Sequence, residues 1–148
     1  MRLLKASIRG MAAAAVVAGV AGCATVAQEP QPVKAVYHLT NGLDEAQRAM
    51  GNIRNHLNAD PKAKIVVVGN GSGIEFMLDG AKDRNGNPFD ATIQDLKGKG
   101  VDFRLCNNTL VTRQIDKSKV IPEVTIVESG VAEAAKLQAR EGFAYLRP

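Results

Sequence analysis

Residues 64–73 read Lys-Ile-Val-Val-Val-Gly-Asn-Gly-Ser-Gly. Four consecutive β-branched residues, Ile65 to Val68, leave the segment no polar face. A strand of this kind is buried on both sides, as the central strands of a parallel sheet are. The glycine-rich turn that follows marks the point where the chain leaves the sheet and prepares a helical segment.

The flanking sequence repeats the alternation of strand and helix. Upstream, residues 35–39 (Ala-Val-Tyr-His-Leu) form a short strand-like run. Across residues 44–58 the apolar positions Ala46, Ala49, Met50, Ile53 and Leu57 fall on one helical face. Asn41 stands where an N-cap is needed, and Asp60-Pro61 ends the helix. Downstream, Ser72 and Glu75 have capping-box spacing for a short helix bearing Ile74, Phe76 and Met77. Residues 79–88 read as loop and residues 89–97 as a second short helix, ended by Gly98 and Gly100. A third strand occupies residues 101–106. Residues 107–120 are irregular or hold one short helix, and residues 124–127 form a fourth strand. Ser129-Gly130 opens a last helix, which Gly142 closes, and residues 143–146 form a last strand. The expected fold is α/β: three layers, α/β/α, around a mostly parallel five-stranded sheet built from residues 34–148.

In such a sheet the strands end on one common edge, where ligands bind. The edge collects His38 and Asn41, the turn with Gly71 and Ser72, and Cys106-Asn107-Asn108-Thr109. Cys106 ends a buried strand, and backbone N–H groups from the following turn would lower its pKa and raise its reactivity. The alternative is an inert buried thiol. The Asn107-Asn108-Thr109 run either turns the chain or holds a ligand atom. The glycine turn at 69–73 leads into a helix start that favours anions, although it has neither P-loop nor dinucleotide spacing. His38 is a candidate assisting group or a structural histidine, and His56 falls on the polar side of the first helix. Two histidines and one cysteine in the domain make no metal cluster of familiar spacing, and no cofactor is expected.

The N-terminus reads differently. Arg2, Lys5 and Arg9 precede an apolar run from Met11 to Val20, and small residues follow. That order is a secretory signal. Val20-Ala21-Gly22-Cys23 resembles a lipobox, which would make 1–22 the signal and Cys23 a lipidated N-terminus. Cleavage after Ala27 is the competing reading. The polar, proline-containing stretch up to residue 33 would then be a tether. The signal holds three of the 19 cations and none of the 15 acids, so the remainder carries only about +1. That balance gives no basis for a nucleic-acid partner.

Residues 34–148 resemble the DsrE/DsrF-like superfamily of sulfur-relay proteins. The resemblance is carried by the strand with His38 and the buried 65–69 strand. It is carried also by Gly100-Val101-Asp102-Phe103-Arg104-Leu105-Cys106 with Asn108-Thr109-Leu110 behind it, and by Gly130-Val131-Ala132-Glu133 and Gly142-Phe143-Ala144-Tyr145. It implies a five-stranded parallel sheet between helices and homo- or hetero-oligomers, often trimers or hexamers. It also implies a cysteine after the third strand that accepts sulfur as a persulfide, and Cys106 stands at that position. This chain departs in two respects. Characterised relay members are cytoplasmic, whereas this one opens on an export signal, and Asn-Asn-Thr-Leu follows Cys106 where they have an Ala-rich helix start.

Three functions follow as expectations. The first is an exported sulfur carrier in the periplasm or cell envelope, anchored to a membrane through Cys23, working with a donor or acceptor protein. The second is a binding module whose edge pocket takes a small ligand. The third is an oligomerising envelope domain without pocket chemistry.

Overall fold

The computed structural model describes residues 31–148. The signal, its cleavage point and Cys23 lie outside the described residues. Five strands form one sheet: β1 (Lys34–Leu39), β2 (Lys64–Gly69), β3 (Asp102–Cys106), β4 (Thr125–Val127) and β5 (Ala144–Leu146). Every pairing is parallel, and the order is β4-β3-β2-β1-β5. The expected five-stranded α/β sheet is present, and it is parallel throughout. The Val-rich strand β2 is central, and all of its residues after Lys64 are buried.

The helices are α1 (Gly42–Ala59), α2 (Phe89–Gly98), α3 (Asn107–Thr112) and α4 (Gly130–Glu141). From β1 to β4 the chain steps across the sheet in one direction. Right-handed crossovers therefore put α1, α2 and α3 on one face. The main core forms there: Tyr37, Leu39, Val67, Phe103 and Leu105 from the sheet meet Met50 and Ile53 of α1, Ile93 of α2 and Leu110 of α3. The connection from β4 to β5 runs the opposite way, so α4 falls on the other face. Its Leu137 meets Val36, Val66, Val68 and Phe143 in a second, smaller cluster. The same face carries Arg104, whose guanidinium holds Asp102 at 2.7 Å and also pairs with Glu133 of α4. The layers are thus three, and unequal.

Three local expectations change. Asn41 occupies the N-cap position of α1, but its side chain makes no capping bond. Instead the Glu45 carboxylate, 2% exposed, turns back to accept the N–H groups of Thr40 and Asn41, both at 2.6 Å. It satisfies two backbone donors just ahead of the helix, not the N2 and N3 donors that an Asn41 side-chain cap would have taken. The Ser72–Glu75 capping box is absent. Residues Gly71–Met77 wind as a 3-10 helix with no side-chain cap, pressed so close to the end of β1 that a Cβ on Gly73 would lie 2.1 Å from the Leu39 carbonyl oxygen. His56 is not simply solvated. Its Nδ1 lies 3.0 Å from the hydroxyl of Tyr37, a phenol whose pKa burial pushes up.

Gly73→Ala is expected to cost about 3 kcal/mol, because backbone rather than a flexible side chain must yield. Gly51, inside α1, has nothing within 4 Å of its would-be Cβ. Gly51→Ala should therefore stabilise by about 0.5–1 kcal/mol. Urea midpoints of the two variants should move in opposite directions.

Candidate functional site: the hollow at the end of β3

The strand order fixes where the sheet edge opens. The connection after β3 leaves toward α3 on one face, and the connection after β4 leaves toward α4 on the other. Neighbouring strands whose connections part in this way leave a crevice at their C-terminal ends, the usual ligand position in open α/β sheets. Cys106 is the last residue of β3, and Ser129 and Gly130 begin α4 beside it.

Cys106 is 4% exposed and forms the base of a hollow of about 380 Å³. Asn70, Gly71, Asn108, Thr109, Arg113 and Val131 are among the residues around it. Burial pushes the thiol pKa up. The N–H of Gly130, the hydroxyl and N–H of Thr109 and the N–H of Asn108 pull it down, and the donors win, leaving the thiol below its ordinary value. The Asn108 N–H is shared with the carbonyl of Glu128 at 3.2 Å. The Thr109 hydroxyl oxygen accepts a hydrogen bond from the Gly71 N–H at 3.1 Å, which leaves the hydroxyl's own proton to be donated to the sulfur. The approach of α4 depends on the absence of a side chain at 130. A Cβ there would come within 3.1 Å of the Cys106 Cβ and 3.2 Å of the Asn70 Cβ.

His38 reaches this site through another residue. Its Nε2 lies 2.7 Å from Asn70 Oδ1 and its Nδ1 2.8 Å from the Tyr145 hydroxyl. A proton on Nε2 satisfies both contacts, with the phenol donating to Nδ1. The ring is buried at 8% exposure, and Asn70 stands between it and the hollow.

Of the residues singled out in the sequence, Cys106, Gly71, Asn108 and Thr109 meet at the hollow. Asn41, Ser72 and Asn107 are not on its wall. Asn41 is tied to Glu45, including through its Nδ2 at 3.3 Å. Ser72 is exposed on the 3-10 segment. Asn107 buries its Oδ1 without a hydrogen-bond partner. Sequence reasoning missed Asn70 and Arg113. Asn70 is in the glycine turn, and only its contact with His38, 32 positions away, distinguishes it. Arg113 caps the C-terminal end of α3 and lines the hollow with Cys106, paired at 3.0 Å with Glu75. Among the described residues no three His, Cys, Asp or Glu side chains converge as a metal site requires.

The family pattern of DsrE/DsrF-like proteins matches residues 27–148. The chain belongs to the DsrE/DsrF-like family. Two solved structures share the fold of this family member. One is a protein of unknown function, MTH1491, from Methanobacterium thermoautotrophicum. It is 26% identical with a TM-score of 0.69 and matches 78% of this chain and 99% of its own. The other is the ychN protein from E. coli, 16% identical with a TM-score of 0.63, matching 80% and 100%. None of the curated proteins matches this DsrE/DsrF-like chain.

The donor set around the sulfur gives a signed expectation. A depressed thiol pKa means that stabilisation of the thiolate is fully present above the unfolded value and is lost as pH falls through the folded one. Thr109→Val removes the hydroxyl donor, and Gly130→Ala pushes α4 off the sulfur. Each should move the pH midpoint of Cys106 alkylation upward from the wild-type position, read at the Cys106 peptide by mass spectrometry.

Proposed function

We propose that this DsrE/DsrF-like protein is an exported sulfur carrier that holds sulfur as a persulfide on Cys106. One observation carries the reading. The thiol sits at the sheet's switch point, in one hollow with the first residues of α3 and the start of α4, whose N–H groups and Thr109 hydroxyl lower its pKa against the effect of burial. The thiolate attacks the outer sulfur of a donor persulfide R–S–S–H. A bond forms between Cys106 Sγ and that sulfur, the donor's S–S bond breaks, and R–S⁻ leaves with the electron pair. The proton of the transferred sulfur remains on it or passes to solvent. No net oxidation occurs, so no redox partner is needed. Discharge is the same exchange reversed, with an acceptor thiolate taking the outer sulfur. The donors then face the departing Cys106 thiolate, whose stability sets how readily it leaves.

The rest of the proposal concerns place and partners. Export rests on the charged, apolar, small-residue order of residues 1–22. A lipid anchor on Cys23 would hold the domain at a membrane in the cell envelope. Assembly into trimers or hexamers and exchange with a donor or acceptor protein follow the family pattern. A second reading, a module that binds a small ligand in the hollow without sulfur transfer, is favoured by the small exposed fraction of Cys106.

Exposure of the purified protein to a persulfide donor followed by intact-mass measurement separates the two readings. The carrier gains the mass of sulfur, loses it to dithiothreitol, and gains none as Cys106→Ala. An unchanged wild-type mass across reducing conditions would sink the carrier and leave the binding module. For the anchor, Cys23→Ser should move the protein from the membrane fraction to the soluble one. Retention in the membrane fraction would refute lipidation there.

A further inference from the structure

Seen by charge, the wall of the Cys106 hollow is one-sided. Among the described residues lining it, Arg113 is the only charged side chain, and no carboxylate is among them. The guanidinium is engaged by Glu75 from outside the wall and by Gly71 within it. Its Nη2 lies 3.0 Å from Glu75 Oε1, and its Nη1 donates weakly to the Gly71 carbonyl at 3.4 Å. Gly71 also connects the arginine to the sulfur, because its N–H donates to the Thr109 hydroxyl that in turn faces Cys106. Cys106, Thr109 and Arg113 recur at helical spacing, so one side of α3 carries the sulfur at its start and the cation at its end.

This layout has an electrostatic consequence. A thiolate at the base repels an approaching anion, and a hollow without a cation would select neutral or cationic reagents. A guanidinium at the wall reverses that preference. Both members of the Arg113–Glu75 pair are partly exposed, and such a pair adds little to stability. A ligand anion, through charge-assisted bonds, can therefore take the guanidinium from Glu75 at little cost.

We propose that Arg113 is a specificity-determining residue that selects small anionic compounds as reaction partners of Cys106, with Glu75 as its resting counter-ion. The inference rests on the carrier reading for the identity of those compounds: low-molecular-weight sulfane-sulfur donors bearing a carboxylate or another anionic group. The charge preference itself can be read without any sulfur transfer.

The test uses the purified full chain and two alkylating reagents that differ in charge, iodoacetate and iodoacetamide. Rates are followed at the Cys106 peptide by mass spectrometry. Their ratio cancels changes in thiolate fraction that affect both reagents alike. In Arg113→Gln the iodoacetate-to-iodoacetamide ratio should fall about tenfold, the scale of one charge-assisted contact. Arg113→Lys should restore most of it, and Glu75→Gln should raise it above wild type. A ratio in Arg113→Gln within about twofold of wild type would overturn the proposal. A parallel arm compares sulfur loading from glutathione persulfide, which is anionic, with loading from cysteamine persulfide, which is cationic. Arg113→Gln should lower the first selectively. If the alkylation ratio falls and neither donor loads the protein, the anion preference stands and the carrier reading fails. If both donors load equally in wild type and variant and the alkylation ratio is unchanged, the carrier reading stands and the role of Arg113 fails.

Discussion

After β4 the chain has to cross the width of the sheet to pair β5 with β1, and a right-handed crossover allows this only on the face that α1, α2 and α3 leave free. The site depends on that one constraint. It makes β3 and β4 the neighbours whose connections diverge. It also brings the first turn of α4 to Cys106 from the side opposite α3. Two helix starts then aim N–H groups at a single sulfur, and the glycine at residue 130 lets the second of them approach closely. The Arg104 bridge between Asp102 and Glu133 and the apolar seat of Leu137 hold α4 along the remainder of its length.

The chemistry of the sulfur reflects a competition between burial and hydrogen bonding. A thiol this enclosed would ordinarily be a small apolar filler with a raised pKa. Here four neighbouring groups are hydrogen-bond donors, and beside a buried sulfur a donor counts for more than the same donor in bulk water. Enclosure and activation therefore act together at Cys106. The hollow above it is open to solvent, and the donors stabilise the thiolate that meets an incoming molecule.

Much of the fold was legible because it is written in short-range pattern. The β-branched run at Ile65–Val68, the helical face through Ala46 and Ile53, and the Ser129 start and Gly142 end of the last helix all appear where their residues place them. Local pattern failed where a distant segment intervened. The Ser72–Glu75 spacing is a capping box on paper, but the close approach of Gly73 to the Leu39 carbonyl forces a tighter winding. His56 is on the polar side of its helix, but Tyr37 reaches it from β1. The thiol's position at the sheet edge was legible, since a strand ended there. Its surroundings were not: Asn70 and Arg113 acquire their places through contacts with His38 and Glu75, more than thirty positions away.

The contact between His38 and Tyr145 joins residues 107 positions apart, and the pairing of β1 with β5 joins nearly the first described residues to nearly the last. Strands β1 to β4 each lie beside the strand before them and can add in order as the chain lengthens. Strand β5 cannot join until its own residues are available, and it must then find a partner at the start of the domain. Contacts of such long sequence separation carry the largest loop-closure cost and form late. The Tyr145–His38–Asn70 connection is therefore among the last parts of the molecule to assemble on a growing chain. A partly synthesised domain can hold most of its sheet and its thiol while lacking the latch that fixes Asn70 at the wall of the hollow.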